Sequence, residues 1–387
     1  MPLLERHARQ RRRAAGGGLS DAPQVLIAGA GPTGLAAALF LVRAGIRVRI
    51  VDGAPAPTRT SKALGVNPRT LSLLEETGVT ARIVAEGQSI RRLRVNRRGR
   101  PLATLAPDWA RLGADRPMTI LPQARTEALL AEALATLGVA VERGLGVATI
   151  EQDAVGVAAT LTDGGTARTP VLFAADGAHS TVRKALGLDF PGDAWPEPWR
   201  LMDVDLEGPP TDEGWVDLRP DGPLICLPFS GRTFRLITFG ADPLSALSAD
   251  WRVGEVRWSS EFRVSHRVAE RLNVGRICLG GDAAHIHSPM GARGMNLGIE
   301  DAFVFAACAA DFLKGEPARL DDYGRLRHAV DAKVVNGVRS VTSMIRASSP
   351  AADLARRLLL PVAARLPFVI DRALRVGMGL DHPVRVR

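Results

Sequence analysis

The stretch QVLIAGAGPTGLAAALFLVRAGIRVRIVDGAP, beginning at Gln24, constrains the fold more than any other part of the chain. Val25 to Ala28 is a short apolar run suited to a buried parallel strand. Gly29, Gly31 and Gly34 then spell GxGxxG, with Pro32 and Thr33 inside it. Leu35 to Val42 is continuously apolar and predicts a helix that stops at Gly45. IRVRIVD predicts a second strand ending at Asp52. In such a unit the first glycine permits a tight turn. The second lets a pyrophosphate approach the backbone, and the third lets helix and strand pack closely. The helix start offers free N–H groups and a positive partial charge. An acid at the end of the second strand can accept hydrogen bonds from ribose hydroxyls. A lone GxGxxG is weak evidence. Here strand, helix and acid all stand in place, so the unit reads as a dinucleotide site, without separating NAD from FAD.

Two later stretches share this grammar. VLFAADGAHSTVRKALGL, from Val171, reads as a strand, a turn at Asp176 and Gly177, and a helix carrying Ser180 and Arg183 on its first turns. Taken alone it is an ordinary strand–turn–helix junction, with Ser180 as a cap and Asp176 as a turn residue. CLGGDAAHIHSPMGARGMNLGIEDA runs from Cys278 to Ala302. Its strand ends at Gly281 and Asp282, and a glycine-rich turn opens a helix predicted from about Arg293 to Leu313. Asp282, His285 and His287 look at first like metal ligands, but no third imidazole or thiolate position is evident. No metal site is expected.

Together, GAGPTG, ADGAHSTVR and GDAAHIHSPMGARGMN resemble the three motifs of the p-hydroxybenzoate hydroxylase family of single-component, FAD-dependent aromatic monooxygenases. The resemblance covers Gln24 to Tyr323. It implies non-covalent FAD, with Gly29, Gly31, Pro32, Thr33, Gly34 and Asp52 holding the ADP half. Arg59 or Lys62 would face the pyrophosphate, and Gln123 would contact the flavin. Asp176, Gly177 and Arg183 belong to the motif linked to both FAD and NAD(P)H. Gly281 and Asp282 would serve the ribityl side. Pro289, Gly291, Gly294, Met295 and Asn296 lie in the segment that would wrap the isoalloxazine. Arg235 and Pro289 are the candidate catalytic residues; Arg235 resembles a family arginine on a sheet strand near flavin and substrate, and a plain surface arginine is the competing reading. Many relatives have GGQG where this chain has GARG, and Arg293 there could raise the flavin potential.

The implied reaction is hydroxylation of an aromatic or polyketide-like molecule, with NAD(P)H as a transient reductant, O2 as oxidant and a flavin C4a-hydroperoxide as the oxygen donor. The family's namesake uses a tyrosine pair on its phenol. Here Tyr323 is the only tyrosine, so p-hydroxybenzoate itself is not the expected substrate. Two alternatives are kept: a reductase or epoxidase of the same fold, and a non-catalytic flavin-binding protein.

The implied fold class is α/β, with a discontinuous Rossmann-like FAD-binding domain (23–87, 119–190 and 273–323). A mixed-sheet substrate domain (88–118 and 191–272) and a helical C-terminal region (324–387), broken by Pro350, Pro361 and Pro367, complete it. Residues 1–22 read as a disordered basic tail. At 387 residues the chain is not expected to carry a further thioredoxin-like domain. The net charge of +9 comes almost wholly from scattered arginines, and aromatics make up 5%. Nucleic-acid surfaces concentrate charge or interleave it with aromatics, so none is expected. Cys226, Cys278 and Cys308 are far apart, which fits a reducing cytoplasm rather than a disulfide framework. No apolar run approaches the roughly 18 residues of a membrane span. Expected partners are the small substrate and O2, with a homodimer left open.

Overall fold

Val25, Leu26 and Ile27 are fully buried. Their run forms β1 (Val25–Ala28), which lies inside a six-stranded sheet in this computed structural model. The structure describes residues 22–58, 63–219, 222–346 and 366–387, together with Leu354 and Leu358. The expected tail, Arg59, Lys62, Pro350 and Pro361 thus fall outside the described residues, Ala22 excepted.

Strand β1 pairs in parallel with β2 (Val48–Asp52) on one side and with Val171–Ala174 on the other. Gly65–Val66 is β3, so Val171–Ala174 is β4 here. Ile277–Leu279 pairs in parallel with β4 in turn. The helix after the first turn, α1 (Pro32–Arg43), is buried along most of its length, because both faces are covered. It packs on α2 (Gln123–Thr136) and on the long helix Gly294–Leu313. The predicted strands and helix of the first unit match these bounds to within a residue or three.

The eight-stranded sheet forms the second layer. Its central members are β5 (Gly192–Glu207), β6 (Thr233–Phe239) and β7 (Arg252–Val268). Leu224–Ser230 pairs antiparallel with β6, and 213–218 runs parallel to 92–97 further out. With Ile277–Leu279 as β8, the short β9 (His285–Ile286) joins the sheet edge beside β7. The third glycine motif therefore starts in one sheet and ends in the other. The fold is α/β, with a mixed second sheet and C-terminal helices.

The expected boundary between 323 and 324 falls inside one continuous helix. Thr181–Ala185 is α3 and Gly294–Leu313 is α4; α5 then runs Arg319–Arg346 without a break. No proline lies within that span, and the breaks expected at Pro350 and Pro361 fall outside the described residues. Pro367 instead opens α6 (Pro367–Gly377), at a position where a missing N–H costs nothing. No helix among the described residues is long and apolar enough to cross a membrane.

Candidate active site

Glycines bring the three motifs into one place. A β-carbon on Gly29 would lie 2.2 Å from the Ala175 carbonyl oxygen, so the first turn touches the second motif. One on Gly281 would lie 2.4 Å from Thr33 Oγ1, and one on Gly298 would lie 2.2 Å from the same atom. The third motif is thus pressed onto the first turn of α1. Gly31 has open space where a side chain would be. The start of α1 carries no side-chain cap, which leaves its N–H groups available to an anion.

Several residues read as cofactor contacts have other work. Thr33 is buried between Gly281 and Gly298 and holds the motifs together. Arg183 is buried, donates to the carbonyls of Ala283 and Ala178, and lies 3.9 Å from the Phe190 ring centroid. It ties the second motif to the third from inside. Asp176 accepts from the Ser180 hydroxyl and from the Thr181 and Val182 N–H groups, which caps α3. Asn296 is fully buried. Its side chain donates to the carbonyls of Gly65 and Ala292 and accepts from Asn67 N–H, stapling α4 to β3 rather than presenting itself to a ligand.

Asp52 accepts the Ala30 N–H at 2.7 Å and an Arg143 N–H at 3.1 Å, so the acid at the strand end also braces the glycine turn. Gln123 accepts from Ala63 N–H and donates to Glu127, which anchors the segment next to Arg59 and Lys62. Asp282 is exposed in the turn Gly281–Ala283, beside the uncapped start of α1. Pro289 precedes Met290–Ala292, where Gly291 and Ala292 have φ of 77° and 51°. Ala292 bears a side chain in the left-handed region, a strained conformation in the loop that leads into α4. Gly294 and Met295 open that helix, whose first N–H groups also lack a side-chain cap.

Across from this loop stands an aromatic face of the eight-stranded sheet. Trp195, Trp199, Leu201, Ile225, Ile237, Phe239 and Val264 form one cluster, with Met290 of the loop packed against it. Arg235 is 1% exposed and makes a two-point ion pair with Asp203, both contacts at 2.7 Å. Its guanidinium lies 4.9 Å from the Phe229 centroid and 5.4 Å from that of Trp258. It is no surface arginine, and its charge is matched. Asp203 has no motif around it, and only the alternation of β5 against β6 could have suggested it.

Behind the cradle lies a buried polar network that sequence reasoning missed. Asp301, on α4, accepts the Gly281 N–H at 2.9 Å, contacts His285 Nε2 at 2.7 Å and accepts from Arg327 Nε at 2.7 Å. Arg327 also donates to Asp331 and reaches Glu300. His285, Asp301 and Asp331 present ligand atoms within 4.8 Å of one another. Arg327 donates into two of those carboxylates and supplies the positive charge a metal would bring. Burial alone would lower the His285 pKa, but the charges of Asp331 and Asp301 outweigh it and hold it up to about 9. Arg293, expected at the flavin, is buried and points one nitrogen at the Val376 carbonyl and at Asp381, 3.2 Å away.

The FAD binding domain family matches residues 22–243 and 240–338. The chain belongs to this FAD-binding family. Its relatives include 6-methylpretetramide 4-monooxygenase of Streptomyces rimosus, 36% identical over 87% of this chain and 64% of that protein. Pentachlorophenol 4-monooxygenase of Sphingobium chlorophenolicum is 31% identical over 85% of this chain and 66% of the relative. The chain thus spans about two thirds, or slightly less, of the length of these relatives. The anhydrotetracycline hydroxylase OxyS of S. rimosus superposes with a TM-score of 0.77 at 32% identity, over 93% of this chain and 76% of that one. The p-nitrophenol 4-monooxygenase of Pseudomonas putida shares the fold, with a TM-score of 0.82 at 24% identity over 93% and 98% of the two chains. Members of the family bind FAD, and the residues here fit it. The open space at Gly31, two uncapped helix starts and exposed Asp282 form a cradle for a pyrophosphate and a ribityl chain.

Proposed function

We propose that the chain is an NAD(P)H-dependent FAD monooxygenase that uses O2 to hydroxylate an aromatic or polyketide-like small molecule. The observation that carries this reading is the aromatic sheet face on which Met290 of the Pro289–Gly294 loop packs, in a chain whose three FAD motifs are pressed together at their glycines. Relatives named for 6-methylpretetramide, anhydrotetracycline and pentachlorophenol support an aromatic ring system as substrate.

FAD, when bound, supplies the activation of O2 and the transfer of one oxygen atom. The chain's own residues do the rest. The N–H groups at the start of α1 bind the pyrophosphate, with Gly29, Gly31 and Gly34 shaping the turn. Asp282 accepts from the ribityl side. The uncapped start of α4 places a positive partial charge where negative charge develops on a reduced ring. The sheet face excludes water and holds a flat ring, while the Asp203–Arg235 pair fixes polar geometry without adding net charge. Arg235 and Pro289 remain the residues assigned to the reacting region. NAD(P)H would visit transiently. Three buried free cysteines support a reducing, cytoplasmic setting, and a homodimer is compatible with the reading.

The test is to purify the yellow protein and screen phenolic and polyketide compounds for stimulated NADPH oxidation under labelled O2. Label in the product supports the reading. Stimulated oxidation with reduced, unlabelled product would select the reductase alternative. Bound FAD that no donor can reduce would select the non-catalytic one.

A further inference from the structure

Two buried imidazoles next to the loop have no role in the reading above. His266, on β7, is 2% exposed, and neither ring nitrogen has a partner. Strands β7 and β9 pair Val268 with His285 and Arg267 with Ile286. One step further along that ladder sets His266 opposite His287, on the same face. His287 contacts the Ser288 carbonyl through Nδ1 at 2.8 Å, and its Nε2 is buried without a partner. A β-carbon on Gly294 would lie 3.9 Å from His287 Cε1, so this ring rests against the first residue of α4. The His266 ring packs on Trp195, with centroids 4.9 Å apart, and Trp195 belongs to the aromatic face that Met290 touches.

The hydrogen-bonding inventory is specific. Burial lowers the pKa of both rings, His287 to about 3, so both are neutral. His287 Nδ1 must carry the proton that bonds Ser288, which leaves Nε2 a bare acceptor. Neutral His266 adds one donor and one acceptor. A hydroxyl group matches the donor and one of the two acceptor nitrogens, because it accepts from the one and donates to the other. A carboxylate offers only acceptors and would meet two more. Nor do the cations nearest the pair offer it an unmatched charge, since Arg339 is paired with Asp193 and Arg293 with Asp381.

We infer that His266 and His287 bind a neutral hydroxyl of the substrate, so that the preferred substrate is a hydroxylated polycyclic aromatic and not an aromatic acid. This rests on the monooxygenase reading. It makes His266 a specificity-determining residue. The experiment titrates the FAD-loaded protein with 2-hydroxyanthraquinone, anthraquinone and anthraquinone-2-carboxylate, following the flavin absorbance change. The hydroxy compound should bind about tenfold more tightly than the parent, the effect of one well-made buried hydrogen bond, and the carboxylate most weakly. His266→Phe should erase the preference, and His266→Asn, which keeps a donor and an acceptor, should retain part of it. Equal binding of parent and hydroxy compound by the unmodified protein overturns the inference, a result that needs no variant to fold. So does a preference unchanged in His266→Phe, as expected if only a resident water fills the site, or tightest binding of the carboxylate. If no ring compound perturbs the flavin, the inference falls together with the monooxygenase reading; binding without preference sinks the inference alone.

Discussion

Asp301 and Asp282 stand on either side of the same turn and do opposite work. Asp282 is exposed, whereas Asp301 is fully buried and holds the Gly281 N–H, His285 and Arg327 at once. The buried network makes Asp301 a position where folding is at stake. Asp301→Ala would take from buried Arg327 one of its carboxylate partners and leave the Gly281 N–H without its side-chain acceptor, and breaking a buried ion pair costs about 3–5 kcal/mol. Asp282→Ala should instead weaken FAD binding roughly ten- to a hundredfold, the loss of a charge-assisted hydrogen bond, and leave the unfolding midpoint near its original value. Urea unfolding of the apo-proteins together with FAD titration separates the two. Equal unfolding midpoints for both variants would contradict the assignment. Asp282 was legible as a candidate because it sits in a local motif. Asp301, Arg327 and Asp203 were not, because their partners lie 26 and 32 residues away and no periodicity announces a polar pair inside an apolar face.

Among the elements, α1 with its flanking strands was readable to within a few residues, since strand, turn and helix there are specified by neighbours in sequence. The parallel pairing of 213–218 with 92–97 was not, since more than a hundred residues separate the partners. The boundary expected at 323 followed the extent of the family resemblance, which ends inside helix α5. That helix carries Arg327 and Asp331 against α4, and the packing of the two has a pH signature. His285 is held up at about 9, above its ordinary value of 6.5. Its contribution to stability is therefore fully present below pH 6.5 and disappears as pH rises through 9. Burial and the neighbouring Asp301 also raise Asp331, which acts in the same direction. Thermal unfolding should show a midpoint that falls from pH 6.5 to 9.5, and His285→Gln should flatten that slope. A midpoint that climbs across this range would show that the imidazole is not charged in the folded protein.

For the molecule as a whole, the sequence carried the cofactor but not the wall that faces it. The motifs predicted FAD, and family membership supports it. The eight-stranded sheet owes its aromatic face to residues drawn from several strands, and only the pairing register shows that they share a side. FAD should copurify and appear in the supernatant after heat denaturation; colourless protein that FAD cannot reconstitute would be decisive against it. Chelators should leave turnover unchanged, because Arg327 already sits among the carboxylates that could hold a cation. The strand order has a further consequence, for biosynthesis. β1 emerges from the ribosome early, yet its turn is completed by Ala175 and by Gly281 against Thr33. About 250 residues separate Gly31 from Gly281, which at roughly 5–20 residues per second is about 12–50 s of translation. During that time the glycine turn waits without the groups that close it. FAD would then be captured late, by a chain whose third motif has cleared the exit tunnel, and cells short of the flavin would accumulate chains without it.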